Sequence, residues 1–315
     1  MCFGRVIMMV ASKSRREPLW LLALCLCYAL AVLLATTGSQ TVTVAARGGM
    51  RLAVEVIIPS ILPFMIFSDI IAAAIDFSQL RYTGKLFCRM LGLGGGAVGA
   101  VAIGTIAGFP VGARMVAQAY GSGSLSKAEA ERAVVISSTP SLAFVVSGVG
   151  GGMLGDTRVG LALYFSVLLA SLLYGFVTRR KSVPTAHEGH KRQRLDLTRS
   201  ISSATAACLG IVVSVTLFSV VTGILCEVIG NGVLLSLMLP FIEVSTACSQ
   251  LCKIGGISSL IIIAFALGFS GLSVHLQIRS VLADTDLGYL RFLRGKLAVG
   301  VMAAGIFSLL HTVIK

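Results

Sequence analysis

Charged residues follow two breaks in apolar segments of this chain, and their types suit the binding of a small polar solute. Arg114 comes shortly after Gly108-Phe109-Pro110, and His275 holds a comparable place after Gly268-Phe269. A cation beside the amino-terminal end of a half-helix suits a carboxylate, because the helix dipole and the cation have the same sign. These residues favour an anionic or polar ligand. The alternatives are an interfacial arginine that sets topology and a hydrogen-bonded buried imidazole.

Prolines interrupt three further apolar stretches, and polar residues lie beside each proline. The stretches are 59–68, 137–141 and 239–246. A proline removes a backbone donor and frees helix carbonyls, so neighbouring hydroxyls either bind a solute or satisfy those carbonyls. Both interpretations stay open. The candidate substrate-binding residues of the whole chain are Pro59, Ser60, Pro63, Ser68, Gly108, Phe109, Pro110, Gly112, Arg114, Thr139, Ser141, Glu243, Ser245, Gly268, Gly271, Ser273, His275 and Gln277.

Catalytic and metal-binding motifs are missing from the sequence. It contains no GxSxG, HExxH, Walker loop or paired CxxC, and its four histidines are scattered. The eight cysteines fall mostly in apolar segments, where free cysteine behaves as a small buried hydrophobe. We therefore expect no enzymatic activity, no cofactor and no bound metal.

The elements that position these residues are predicted to be membrane helices. The 315 residues are 56% hydrophobic and only 12% charged, with a mean hydropathy of +0.93. Soluble domains average about 25% charged residues. Because a span needs roughly 20 apolar residues, we expect about eight spans plus one or two re-entrant pieces in an all-α, polytopic membrane helix bundle. The longest apolar stretches are Pro18–Ala46, Met90–Ala113, Ala133–Gly155, Val159–Thr178, Ser200–Cys226 and Ile254–Val274.

The net charge of +13 is interpreted as membrane topology, with no nucleic-acid partner, because basic residues lie between the apolar segments. Residues 179–199 carry seven Lys or Arg against two acidic residues. The positive-inside rule places this basic loop and the amino terminus in the cytoplasm. The number of membrane crossings agrees with a cytoplasmic amino terminus and a cytoplasmic basic loop only if Met90–Tyr120 enters the membrane and returns to the same side. This segment is therefore predicted to be a re-entrant hairpin or a broken helix.

A stripe of small residues runs through that same segment at helical spacing. Its members are Gly96, Ala100, Gly104, Gly108 and Gly112, each four positions apart. Such stripes let helix backbones approach closely in lipid, so the stripe is interpreted either as a packing face or as part of the break.

The chain repeats an order of motifs, which predicts two pseudo-repeats with broken or re-entrant helices. A Pro-Phe in an apolar segment precedes a Gly-Phe break in each half, and a charged connector follows, at 127–132 and at 279–296. Interrupted segments at matching places in two halves are typical of transporter sites near the bilayer midplane. The predicted regions are a tail, first helix and outer loop at 1–51, a first repeat at 52–178, the basic loop at 179–199 and a second repeat at 200–315.

The ordered motifs resemble the sporulation integral membrane protein family of endospore-forming Firmicutes, whose members carry the nucleoside-recognition "Gate" domain. The resemblance covers 52–310 and includes Pro59-Ser60-x-x-Pro63-Phe64, Gly108-Phe109-Pro110-x-Gly112-Ala113, Thr139-Pro140-Ser141, Pro240-Phe241-x-Glu243 and Gly268-Phe269-x-Gly271. It implies a mother-cell membrane protein needed for spore maturation that moves dipicolinic acid towards the forespore. The family usually has asparagine where Thr139 stands.

Composition, helix breaks and resemblance together predict a cell-membrane transporter that moves a small organic anion during spore formation. Dipicolinic acid is the first candidate substrate, and alternating access is the expected mechanism. A nucleoside or nucleobase carrier is one alternative. A non-transporting membrane scaffold, docking partners on the basic loop, is the other. The expected partners are the small anion, the lipid bilayer, and either a second copy of the chain or other sporulation membrane proteins.

Overall fold

The computed structural model describes residues 32, 40–74, 89–179, 197–230 and 232–314. Most of these residues are helical and none of them forms a β-strand, which confirms the all-α prediction. The helices are α1 Thr41–Leu52, α2 Ile58–Ala74, α3 Gly95–Ala107, α4 Val111–Gly121, α5 Lys127–Ser137, α6 Thr157–Val177, α7 Leu197–Ile229, α8 Val233–Ile242, α9 Val244–Ile254, α10 Gly256–Phe269, α11 Gly271–Val281 and α12 Tyr289–Ile314, with π-helical segments Ala53–Ile57 and Phe144–Leu154.

Four stretches of the described residues are long and apolar enough to cross a membrane, and α1 with the first part of α2 forms a fifth if that bent pair is one span. The four are 157–177, 204–229, 256–281 and 289–312. The expected eight spans are therefore not all continuous helices, because other apolar stretches are divided into helices of 10–17 residues. Most of the predicted first span and residues 180–196 of the basic loop lie outside the described residues, and the last three residues of that loop already belong to α7.

The first Pro-Phe segment bends, as its prolines predict. The helix axis turns by 51° between Thr41–Ile57 and Ile61–Phe67, directly after the π-helical turn. A π-helical turn changes the direction of a helix, and Pro63 inside α2 removes another backbone donor. The second copy differs, since α8 ends at Ile242, two residues after Pro240.

The predicted break at Gly108 is a reversal of the chain. A Cβ placed on Gly104 would lie 2.8 Å from the Cα of Gly112, although these residues are eight apart in sequence. In a straight helix eight residues span about 12 Å, so α3 and α4 form a hairpin. The glycine stripe therefore joins the two arms of this hairpin instead of forming one face of a single helix.

The second half contains breaks at Glu243 and at Ser270, so the apolar stretch Ile254–Val274 is not an uninterrupted helix. Glu243 is extended, with φ −151° and ψ 120°, and Ser270 has a φ of 79°. The predicted connector Arg279–Lys296 is also shorter than expected. Only residues 282–288 connect α11 to α12, and α12 already begins at Tyr289.

Small residues set the closest helix contacts of the bundle. Helices α1 and α7 approach each other at Gly223, where a Cβ would lie 2.7 Å from the Cβ of Ala45. Helix α12 packs against α10, α6 and α5, and a Cβ on Gly268 would lie 2.7 Å from the Cα of Gly300. In lipid, helices associate through such close backbone packing. The final helix thus contacts elements of both halves.

Candidate functional site

The break between α3 and α4 lies against a second irregular segment, Ser138–Ser141. The backbone N–H of Phe109 donates to the Thr139 carbonyl at 2.9 Å. Gly108 has a φ of 81°, and a Cβ there would collide with the backbone nitrogen of Ser141. The Ser141 hydroxyl in turn accepts the N–H of Phe144 at 3.1 Å, which caps the π-helical segment. Two breaks of the first half therefore form one unit.

The two breaks of the second half also meet, around Glu243. The Glu243 side chain is 1% exposed and accepts hydrogen bonds from the backbone N–H groups of Ser245, at 3.0 Å, and Thr246. The Ser273 hydroxyl on α11 donates to the same carboxylate at 3.4 Å. A Cβ on Gly271 would lie 3.0 Å from the nitrogen of Val244. Glu243 thus caps α9 and links it to the first turn of α11.

A small cavity joins these two units. Phe109 and Phe144 line it from the first half, and Glu243, Ser245, Ser273 and Gln277 supply its polar wall from the second half. Its volume is about 20 Å³, which is room for about one water molecule. Aliphatic side chains of the α1–α2 bend and of α7 close the remaining side; they include Ile57, Ile61, Ile211 and Val215.

Helix amino-terminal ends surround this cavity. Helix α4 begins two residues after Phe109, the π-helical segment begins at Phe144, and α9 and α11 begin at Val244 and Gly271. Such ends carry partial positive charge and favour anions. Among the residues that line the cavity, Glu243 is the only ionisable one, so the protein itself already places a carboxyl group there.

Two buried basic side chains flank the breaks. His275, 0% exposed, has Nε2 at 2.9 Å from the Phe269 carbonyl and Nδ1 at 3.2 Å from the Tyr289 hydroxyl. Lys296, also 0% exposed, donates from Nζ to the Ser138 carbonyl at 2.7 Å. Both carbonyls belong to residues at the carboxyl end of a broken helix, where partial negative charge concentrates.

Five of the sequence-predicted residues line the cavity, and the others lie around it or apart from it. The five are Phe109, Glu243, Ser245, Ser273 and Gln277. Gly108, Pro110, Thr139, Ser141, Gly271 and His275 belong to the breaks, while Gly112 and Gly268 are packing contacts behind them.

Arg114 and the first two prolines are not brought into the cavity wall. Arg114 is half-buried, one turn into α4. Pro59 and Pro63 are on an exposed face, whereas Ile57 and Ile61 line the cavity. Ser60 and Ser68 belong to α2, and their side chains lie outside the described part of the structure.

Lys296 was not predicted as a site residue, because it falls within the charged connector expected at 279–296. Its spacing carried a signal: Phe292, Lys296, Val299, Ala303 and Phe307 are all buried and recur every three or four residues along α12. That period marks one face of a helix. The place of Lys296 on the buried face is therefore predictable once α12 is known to begin at Tyr289.

Polar contacts also connect the two halves at the connectors. Lys127 Nζ and the Tyr120 hydroxyl donate to Asp286, at 2.7 and 2.6 Å. These hydrogen bonds, that of Lys127 first, lower the pKa of the Asp286 carboxyl. The Glu131 carboxylate pairs with Arg291 and accepts the N–H of Gly288 at 3.0 Å. The predicted charged connectors of the two halves are thus bound to one another.

Comparison with known proteins identifies one similar curated protein that bears on this arrangement. The chain is 27% identical to the sporulation integral membrane protein YlbJ of Bacillus subtilis strain 168, over 84% of this chain and 76% of that protein. No family model and no solved structure matches. With the ordered motifs and the multi-pass helical fold, this similarity supports the resemblance of the chain to the sporulation integral membrane proteins.

Proposed function

We propose that this chain is a membrane transporter that moves a small organic anion during spore formation, with dipicolinate as the first candidate. The relative's name supplies the link to sporulation. The observation that carries the proposal of transport is the cavity at which breaks from both halves meet, between Phe109 and Glu243. Broken helices from two repeats form the substrate site in many transporters.

The helix ends around the cavity favour an anion. The N–H groups at the start of α9 and the hydroxyl of Ser273 already hold one carboxylate, that of Glu243. An incoming carboxylate suits the same donors and competes with Glu243 for them. The Glu243 side chain acts in this scheme as a resident ligand that is displaced when the substrate binds.

The size of the cavity requires movement for binding. A space of about 20 Å³ holds about one water molecule, which is far smaller than an aromatic dicarboxylate. The apolar wall of Ile57, Ile61 and Val215 comes from the α1–α2 bend and from α7. Separation of these helices from the breaks is the motion that opens the site, in keeping with alternating access.

A nucleoside carrier is the second candidate, and a specific observation favours it. The Gln277 Oε1 atom is buried and has no hydrogen-bond partner among the described residues, and it lines the cavity together with Glu243. Two acceptor groups in the wall of one cavity suit the hydroxyl groups of a neutral solute. A carboxylate in the cavity also repels a dianion, which weighs against dipicolinate unless Glu243 moves away.

Uptake by proteoliposomes separates these functions. Purified wild-type protein and Glu243→Gln are each tested with labelled dipicolinate and with labelled uridine. Two unit charges about 5 Å apart interact by about 3 kcal/mol at an effective dielectric constant of about 20. For an anion carrier we expect Glu243→Gln to lower the dipicolinate KM by tenfold or more, because the competing charge is removed. For a nucleoside carrier the variant raises the uridine KM by a similar factor.

Glu227→Gln is the matched control, because Glu227 is exposed near the end of α7 and away from the cavity. Its kinetics are expected to equal those of the wild type. Size-exclusion chromatography in detergent establishes that each variant is folded. Folded wild-type protein that takes up neither solute contradicts both carrier functions and favours the membrane scaffold.

A further inference from the structure

Lys296 is a buried basic side chain with one hydrogen-bond partner among the described residues. Its ammonium group donates to the Ser138 carbonyl at 2.7 Å, and no carboxylate of the described residues lies within ion-pair distance of it. An ammonium has three N–H donors, so two have no hydrogen-bond partner in the described part of the chain. Burying an unpaired charge is costly, and side chains in this situation exchange a proton with solvent instead. Intramembrane ionisable residues are candidates for function for this reason.

The elements packed against α12 supply no counter-charge for Lys296. Helix α10 carries no titratable residue. The carboxylates of α5 are both occupied, since Glu129 forms the capping box of α5 and accepts the Gly94 N–H, and Glu131 pairs with Arg291. The other titratable or charged groups are Lys127 and Arg132 on α5, Arg158, Tyr164 and Tyr174 on α6, His275 and Arg279 on the adjacent α11, and Tyr289, Arg291, Arg294 and His311 on α12 itself.

His275 satisfies its contacts without a charge. A neutral imidazole with its hydrogen on Nε2 donates to the Phe269 carbonyl and accepts the Tyr289 hydroxyl on Nδ1. This tautomer follows from the partners of the two nitrogens. Lys296 differs, because a neutral amine still has two N–H groups and can donate to the Ser138 carbonyl, so its one contact is compatible with both the charged and the neutral form.

The contact of Lys296 leads directly to the cavity. Ser138 precedes Thr139, whose carbonyl accepts the N–H of Phe109 at 2.9 Å. Phe109 and Phe144, at either side of this break, line the cavity. A change in the strength of the hydrogen bond from Lys296 to the Ser138 carbonyl therefore changes the stability of the Ser138–Ser141 break, which positions the first-half wall of the cavity.

We propose that Lys296 binds and releases the proton that drives transport through this cavity. The Lys296 amine takes a proton from one aqueous side, and the resulting ammonium donates a hydrogen bond to the Ser138 carbonyl. When the helices rearrange, the ammonium releases this proton to the other aqueous side. A proton bound differently by two conformations shifts the balance between them. This inference rests on the proposed transport function and adds its coupling ion.

The test uses full-length protein in proteoliposomes with an imposed pH gradient. Lys296→Met removes the proton site, and Lys296→Arg keeps a charge that is not released in proteins. In both variants, the accumulation of dipicolinate driven by the pH gradient is expected to be at least tenfold lower than in the wild type. Exchange of labelled for unlabelled solute across vesicles without a gradient stays within about threefold of the wild type, because it needs no net movement of protons. Lys253→Met, on the exposed end of α9, is the control and keeps the full response.

Retained gradient-driven accumulation in Lys296→Met overturns the proposal. Should neither variant fold, the wild type is tested alone with a pH-sensitive dye in the vesicle lumen; solute entry without a change of lumenal pH also overturns it.

Failure of the transport function is distinguishable, because it abolishes uptake and exchange in all vesicles, wild type included. The titration of Lys296 is then measured from apparent Tm against pH in detergent. Lys296→Met should flatten that curve relative to Lys253→Met, and equal curves refute a proton site at Lys296.

Discussion

A single methyl group at Gly104 should force the α3–α4 hairpin apart. A Cβ there would lie 2.6 Å from the Ser137 carbonyl oxygen and 2.8 Å from the Gly112 Cα. Carbon atoms pack at about 3.5–4.0 Å, so the arms must separate by about 1 Å. Overpacking costs about 1–3 kcal/mol, whereas alanine gains up to about 1 kcal/mol of helix propensity over glycine. The expected net loss of stability for Gly104→Ala is about 1–2 kcal/mol.

The measurement is the apparent Tm of purified protein in detergent, followed by the loss of the folded peak in size-exclusion chromatography. A loss of 1 kcal/mol lowers Tm by about 2–4 °C in chains of 150–250 residues, so we expect a decrease of about 2–8 °C. Gly121→Ala is the matched control, because Gly121 is in the same hairpin and has no atom within 4 Å of its would-be Cβ. Its Tm should be unchanged or slightly raised.

Equal Tm values for the two variants would refute the hairpin. A second check is Gly112→Ala, whose Cβ would collide with the same Ser137 carbonyl and lie 2.9 Å from the Gly104 Cα. The double variant should lose less than the sum of the single losses, because once the arms have separated the second methyl group meets a relaxed contact. Strict additivity would mean that Gly104 and Gly112 do not face each other.

Three further predictions concern contacts around the site. Asp286→Asn should lower the apparent Tm at pH 7, because it removes the carboxylate that pairs with Lys127. Since Lys127 lowers the pKa of Asp286, the Tm difference from wild type should vanish as the pH falls through that lowered pKa, below the usual 3.8. A Tm difference that persists at acid pH contradicts the ion pair. Ser126→Ala removes the capping box that Ser126 forms with Glu129 and should cost about 0.5–2 kcal/mol, measured as a Tm decrease, with an unchanged Tm as the opposing result. Tyr164→Phe leaves the Thr105 carbonyl without the hydroxyl that donates to it at 2.8 Å, so a loss of about 1–3 kcal/mol is expected, and a Tm equal to wild type would show that water replaces the hydroxyl.

Chemistry local to the backbone made the helix breaks predictable. Proline lacks the N–H that a helix needs, and glycine permits the positive φ seen at Gly108 and Gly271. The sequence therefore indicated breaks near Gly108 and in the Gly268–Gly271 stretch, and a bend near Pro59, without any knowledge of packing. The apolar composition likewise determined an all-α membrane bundle.

The position of polar groups relative to the breaks was only partly predictable. Glu243 was recognised from its place after Pro240-Phe241, yet its role as the cap of α9 needs the extended backbone that the structure shows. Lys296 was missed because the start of α12 was placed too late, which hid its place on the buried face. Arg114, expected at the site, is half-buried outside the cavity wall.

The fold class, the membrane setting and the places where helices break follow from the amino-acid sequence, since each depends on composition or on a residue's own backbone. Which breaks meet, how the hairpin places Gly104 against Gly112, and which carbonyl accepts the Lys296 hydrogen bond become known only from the packed bundle. Lipid-facing and buried helix faces are almost equally apolar, so the hydrophobic pattern does not select helix partners in a membrane. Close backbone contacts between distant segments make that selection, and they are properties of the packed bundle.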